Sequence, residues 1–123
     1  MNQLLAIMLG GSLGAVLRYI ISTGIYTLLG RDFPYGTLVV NVLGSLLMGV
    51  FSHILMQKLA NETLSAMLLV GFLGAFTTFS TFSLDTLNLL QQGDIVKAFL
   101  NMFLNVAVCL LAVWLGMFLA KQL

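Results

Sequence analysis

Thr77, Thr78, Ser80 and Thr81, with Phe79 and Phe82 set among them, crowd four hydroxyls and two phenyl rings into six residues. They lie within the stretch Gly71 to Ser83, GFLGAFTTFSTFS, whose neighbours are apolar enough to cross a membrane. Hydrocarbon offers no hydrogen-bond partners, so hydroxyls at bilayer depth must be satisfied inside protein or line a watery path. A phenyl ring has a negative face and a positive edge, so rings turned edge-on suit an anion. A cation over a ring face is the opposing possibility, although a cation site normally adds a carboxylate. Gly71 and Gly74 let another backbone come close, and β-branched threonines whose hydroxyls compete for carbonyls predict a local break in the helix.

Three further sets of polar residues recur at steps of four, and each set therefore shares a helical face. Asn41, Ser45 and Gly49 form the first; an amide within a span needs partners at a helix interface or in a pore, and both readings of Asn41 stand. Lys97, Asn101, Asn105 and Cys109 form the second, a track of amides that could solvate an anion or join helices. Gly10, Gly14, Arg18 and Ser22 form the third, in which the glycines read as packing residues. Arg18, several turns into a span, is either a structural anchor or an attractor of anions in a vestibule.

These residues must be positioned by membrane helices. The chain has 123 residues, 60% of them hydrophobic and 7% charged, too much apolar surface for a soluble core. Apolar runs at about Leu4 to Leu29, Thr37 to Met56, Leu64 to Leu84 and Ala98 to Ala120 each reach the roughly 20 residues a span requires. The expected architecture is one all-α domain over residues 1–123, with four transmembrane helices and the third broken in its middle. The loop around Arg31-Asp32-Phe33-Pro34 holds the lone proline and acts as a connector.

Charge gives no clear orientation. With four spans, Lys58 and Lys121 fall on one side and Arg31 and Lys97 on the other, two against two. Short-loop Lys and Arg set which side faces the cytoplasm, so the chain either inserts one way on a slender bias or inserts both ways and pairs antiparallel. Four spans enclose little alone, and oligomerisation would shelter their polar faces.

Other function classes lack their residues. Five scattered Lys and Arg make no patch for nucleic acid. His53 and Cys109 are each single, and Asp32, Glu62, Asp85 and Asp94 are dispersed, so neither a nucleophile and base nor a metal cluster is apparent. The first residues lack a basic region before a short apolar core and cleavage site, so the first span is expected to be mature structure.

GGSLGAVLRY in the first span, VVNVLGS in the second and GFLGAFTTFSTFS in the third, in that order, resemble the small bacterial fluoride channels of the Fluc, or CrcB, family. The resemblance implies an antiparallel, dual-topology homodimer in the cytoplasmic (inner) membrane that passes fluoride passively through two narrow pores. It implies that Phe79 and Phe82 contact fluoride, with Asn41 the nearby amide, Ser80, Thr81, Asn101 and Asn105 along the path, and Arg18 in a vestibule. It also implies a structural sodium ion on the two-fold axis, held by backbone carbonyls at positions matching Gly74 and Thr77. Family members often carry hydroxyls on the fourth span, where this chain has Asn101, Asn105 and Cys109.

Two rivals stand beside this expectation. A proton-coupled small multidrug exporter should carry a carboxylate in its first span, and this chain has none there. A structural membrane subunit would use the polar face to bind a different protein. No enzyme chemistry is expected.

Overall fold

The computed structural model describes residues 2–123, and among them the secondary structure is helical throughout. Four helical stretches, Gln3–Leu29, Tyr35–Leu59, Glu62–Gln91 and Ile95–Lys121, are long and apolar enough to span a membrane. We call Gln3–Leu29 α1 and Tyr35–Leu59 α2. Within the third stretch we call residues 62–76 α3 and Phe79–Gln91 α4; the fourth is α5, Ile95–Lys121.

Each helix outruns the apolar core expected from hydropathy, and side-chain caps fix the starts of α1 and α3. Asn2 caps α1 by accepting a 2.8 Å bond from Leu4 N, and Gly30, at φ 84°, ends it. Asn61 caps α3 in the same way through Leu64 N at 2.9 Å. Such side-chain oxygens satisfy amide groups that a helix start leaves without partners. The last turn of α2, Ile54–Leu59, widens to π-helical spacing and stops at Ala60, which is left-handed at φ 48°. Widened turns also occupy Ala66–Leu73 in α3 and Leu104–Val108 in α5.

Helices meet where side chains are smallest. α1 lies along α3: a Cβ on Gly10 would overlap the Met67 carbonyl and one on Gly14 the Phe72 carbonyl. α2 lies along α5 through Gly49 against Val113 and Gly116 against Leu46, again at backbone carbonyls. Without a hydrophobic force between helices in lipid, this close packing supplies the attraction.

The interior combines small and polar residues with a few large apolar ones, Leu73 and Phe76 foremost. Ala6, Val40, Ala98, Ala112, Thr37, Asn101 and Asn105 are buried, whereas Leu4, Met8, Leu13, Val16, Phe99, Leu110 and Trp114 face outward. The fold thus turns most of its large apolar side chains toward hydrocarbon and keeps Thr37, Thr78, Thr86, Asn101 and Asn105 within.

Candidate functional site

The site is built around two residues of extended backbone between α3 and α4. Thr77 has φ −88° and ψ 160°, and Thr78 has φ −151° and ψ 118°. Thr77 stops α3 with its own side chain: its N–H and its hydroxyl both donate to the Leu73 carbonyl, at 3.1 and 3.0 Å. Thr78 then starts α4, its Oγ1 accepting from Thr81 N at 3.1 Å. The same hydroxyl donates to Thr81 Oγ1 at 3.1 Å and lies 3.3 Å from Ser80 Oγ. The clustered hydroxyls therefore serve first as the stop and start signals of two helices.

Asn41 of α2 holds this segment from outside. Its Oδ1 accepts from Thr78 N at 2.8 Å, and its Nδ2 donates to the Thr78 carbonyl at 3.1 Å. One amide side chain thereby replaces both backbone partners that continuous helix would have given Thr78. The other Nδ2 hydrogen goes to Asn105 Oδ1 at 2.9 Å.

A directional network continues from there. Asn105 Nδ2 donates to the carbonyl and the Oδ1 of Asn101, both at 3.0 Å. Asn101 Nδ2 donates to Thr86 Oγ1 at 2.9 Å, and Thr86 Oγ1 donates to the Phe82 carbonyl at 2.8 Å. The amides at steps of four on α5 are thus turned into the protein, with Asn101 fully buried. Among the described residues no buried side-chain polar atom lacks a partner.

Two hollows border this segment, and Thr78 lies in the wall of both. One, of about 340 Å³, is lined by Arg18, Ser22, Tyr26, Thr37, Thr81 and Asp85 as well as Thr78. The other, of about 270 Å³, is lined by Asn41, Ser45, Thr77, Phe79, Asn105 and Cys109 as well as Thr78. Arg18 is half-buried in the first hollow rather than turned to hydrocarbon.

The two phenyl rings touch, with centroids 5.3 Å apart and planes tilted by 59°. Their environments differ: Phe82 is 8% exposed and Phe79 is 76% exposed. Ser80 is exposed and Thr81 half-buried. Gly74 is exposed, while Thr77 is half-buried beside Phe79 in the second hollow. The structure therefore brings together Asn41, Thr77, Phe79 and Asn105, and separately Arg18 and Thr81. Lys97, the outer member of the α5 stripe, reaches the Asp32 carbonyl at 3.2 Å and ties α5 to the first loop.

Thr37, Tyr26 and Thr86 also belong to these surroundings, and Arg31, in the sequence only a loop charge, borders the first hollow. Thr37 is 3% exposed; it donates to Asp85 Oδ2 at 2.8 Å, and Tyr26 Oη lies 3.3 Å from its hydroxyl. The signal was available, since Thr37 stands four residues before Asn41 and extends its helical face.

A family model described as CrcB-like protein, Camphor Resistance (CrcB), matches residues 5–117. A protein of Methylococcus capsulatus named fluoride-specific ion channel FluC is 54% identical over 122 residues, which cover 98% of this chain and 54% of that one. Proteins of the same name from Pseudoalteromonas translucida and Magnetococcus marinus are 55% identical over 117 residues and 51% identical over 120. Those alignments cover 94% and 97% of this chain, and 98% of each relative. The chain thus spans about half of the Methylococcus protein and nearly all of the other two.

Proposed function

The chain belongs to the CrcB-like family, and from that premise we propose that it is a fluoride-specific ion channel, a multi-pass membrane protein that lets fluoride leave the cell down its electrochemical gradient and so confers fluoride resistance. The observation that carries the reading is Thr78, whose residue borders both hollows while Asn41 fixes its backbone. An ion passing between the hollows would pass this residue.

On this reading Arg18 draws an anion into the first hollow, and Thr81, Ser80 and Thr78 offer hydroxyls at the crossing. Phe79 and Phe82 then present ring edges, and the asparagines brace the wall. Small donors at close range can replace the hydration shell of a small anion better than that of a larger one, which favours fluoride over chloride. Amides already engaged with Thr78 and with one another hold that geometry without reorganising. Asn41 and Asn105 border the second hollow, and with the N–H groups of both engaged by Thr78 and the neighbouring asparagines they would shape the wall the ion passes, while Asn101 acts from behind.

The working unit in this proposal is an antiparallel homodimer in the cytoplasmic membrane. Support comes from the balanced Lys and Arg count and from exposed Ser80 and Ser83 on α4, whose hydroxyl oxygens have acceptor capacity that hydrocarbon cannot fill. A second copy would cover them and complete each pore wall. Interruption of the third helix between Phe76 and Phe79 also belongs to this proposal as the place where backbone is freed for function.

A structural sodium ion fits the residues present. Because Thr78 N–H is spent on Asn41, the Gly74 carbonyl loses the donor that continuous helix would have provided, and the Thr77 carbonyl lies in extended chain. Among the described residues no cluster of three or more His, Cys, Asp or Glu could hold a metal, so the ligands would be neutral oxygens, which suit a hard monovalent cation. Such an ion would offset the negative ends of the Gly74 and Thr77 carbonyl dipoles and pin the segment.

The test is growth. Expression in cells stripped of their own fluoride exit route should restore growth in fluoride medium, and Phe79→Ile should fail to do so. Rescue from organic cations in place of fluoride would favour a multidrug exporter and defeat the proposal.

A further inference from the structure

At the end of the molecule away from the first loop, α1 and α3 begin and α2 ends, and a hollow of about 500 Å³ lies among them. Its polar wall is Gln3, Asn61, Glu62 and Ser65. Its apolar wall is Leu55 and Met56 of α2 with Leu69 and Val70 of α3.

The two kinds of residue are sorted by depth. Along α3 the lining residues are Glu62, then Ser65 and Ala66, then Leu69 and Val70, about one turn apart on one helical face. From Glu62 to Val70 a helix advances roughly 10 Å, enough to pass from the headgroup region into hydrocarbon. The wall thus runs from carboxylate through hydroxyl to aliphatic carbon in the order in which a phospholipid runs from head to tail. All four apolar residues belong to the widened turns Ile54–Leu59 and Ala66–Leu73, and turns of this kind recur at functional sites.

The polar end suits a head that bears both signs of charge. α1 and α3 both start at the hollow, so their positive dipole ends and the side chains of Gln3, Asn61 and Ser65 favour a phosphate. Asn61 spends its Oδ1 on Leu64 N at 2.9 Å, which leaves its Nδ2 as a donor. Among the described residues of the wall Glu62 is the one ionisable group, and it is exposed; Lys58, at the same end of α2, is not part of the wall.

We propose that this hollow holds one phospholipid whose head carries a primary ammonium, as phosphatidylethanolamine does. The ammonium donates to Glu62, the phosphate accepts from Ser65 and the two amides, and an acyl chain lies between Leu55, Met56, Leu69 and Val70. A lipid with net negative charge is repelled by Glu62, and a choline head has no N–H to give it. The site does not depend on which ion the protein conducts.

Native mass spectrometry of the purified protein reads the site. Dioleoyl phosphatidylethanolamine, phosphatidylglycerol and phosphatidylcholine would each be titrated, and the apparent Kd of the first bound lipid recorded. Wild type should bind the ethanolamine lipid about threefold more tightly than either of the others. Glu62→Gln should bring the three affinities together, and Glu62→Lys should put the glycerol lipid first. Because Glu62 is exposed, its variants test folded protein. Val70→Trp, also at an exposed position, fills the apolar part of the hollow and should remove the preference with helical circular dichroism unchanged. Equal affinities in wild type, the mark of annular lipid only, overturn the site. So does an ethanolamine preference that survives Glu62→Gln or Val70→Trp.

Discussion

Asn41 and Thr78 pair in both directions: the Thr78 N–H donates to Asn41 Oδ1 at 2.8 Å, and Asn41 Nδ2 donates back to the Thr78 carbonyl at 3.1 Å. A side chain of α2 so takes the part of backbone for the segment that separates α3 from α4.

Asn41→Asp keeps the acceptor and loses the donors. The Thr78 carbonyl and Asn105 Oδ1 would then each face a carboxylate oxygen, leaving buried acceptors unpaired at a cost of about 1–3 kcal/mol apiece. The variant should melt earlier in detergent, and its fluoride flux should fall further than its folded fraction, because a negative charge would also border the second hollow.

The two rings should separate stability from flux. Phe79→Ile, on a ring exposed in the single chain, should abolish most flux with little change in melting temperature. Phe82→Ile, on a ring that is 8% exposed, should lower flux and also cost about 1–3 kcal/mol of stability. Equal melting shifts for the two would contradict the burial difference, and wild-type flux in both would remove the rings from the path.

Close helix packing predicts a contrast among glycines of α1. Gly14→Ala places a Cβ against the Phe72 carbonyl, which is backbone and cannot turn aside. We expect destabilisation of about 1–3 kcal/mol. Gly24→Ala meets nothing within 4 Å and should leave the melting temperature unchanged or slightly raised. Thermal unfolding followed by circular dichroism distinguishes the two.

Ala60 ends α2 in the left-handed region, φ 48° and ψ 40°, where a Cβ is unfavourable. Ala60→Gly should stabilise the protein by about 1 kcal/mol without altering flux. A lower melting temperature would show that the Ala60 methyl makes packing contacts outweighing its backbone strain.

Hydropathy made four spans legible because lipid imposes length and apolarity on every helix that crosses it, and the helices found contain each expected core. Their ends were less legible, since Asn2, Asn61 and Gly30 act through single capping contacts that carry no hydropathy signal. The stripes at steps of four correctly grouped Asn101 with Asn105. They could not show which way an amide points, because the same spacing serves a helix interface and a pore wall. The glycines of α1 and α3 signalled close approach, but which backbones met depended on the tertiary fold. Arg31 registered only as a loop charge because a loop arginine has no periodicity, and its stack on Tyr26 needs the helix end to be placed first.

The most direct test of the account is ion selectivity in a defined membrane: purified protein in liposomes loaded with fluoride and chloride, a potassium ionophore to balance charge, and both anions followed by electrodes. The account predicts rapid fluoride efflux with chloride retained. Equal loss of both anions, or no fluoride loss from folded protein, would contradict it.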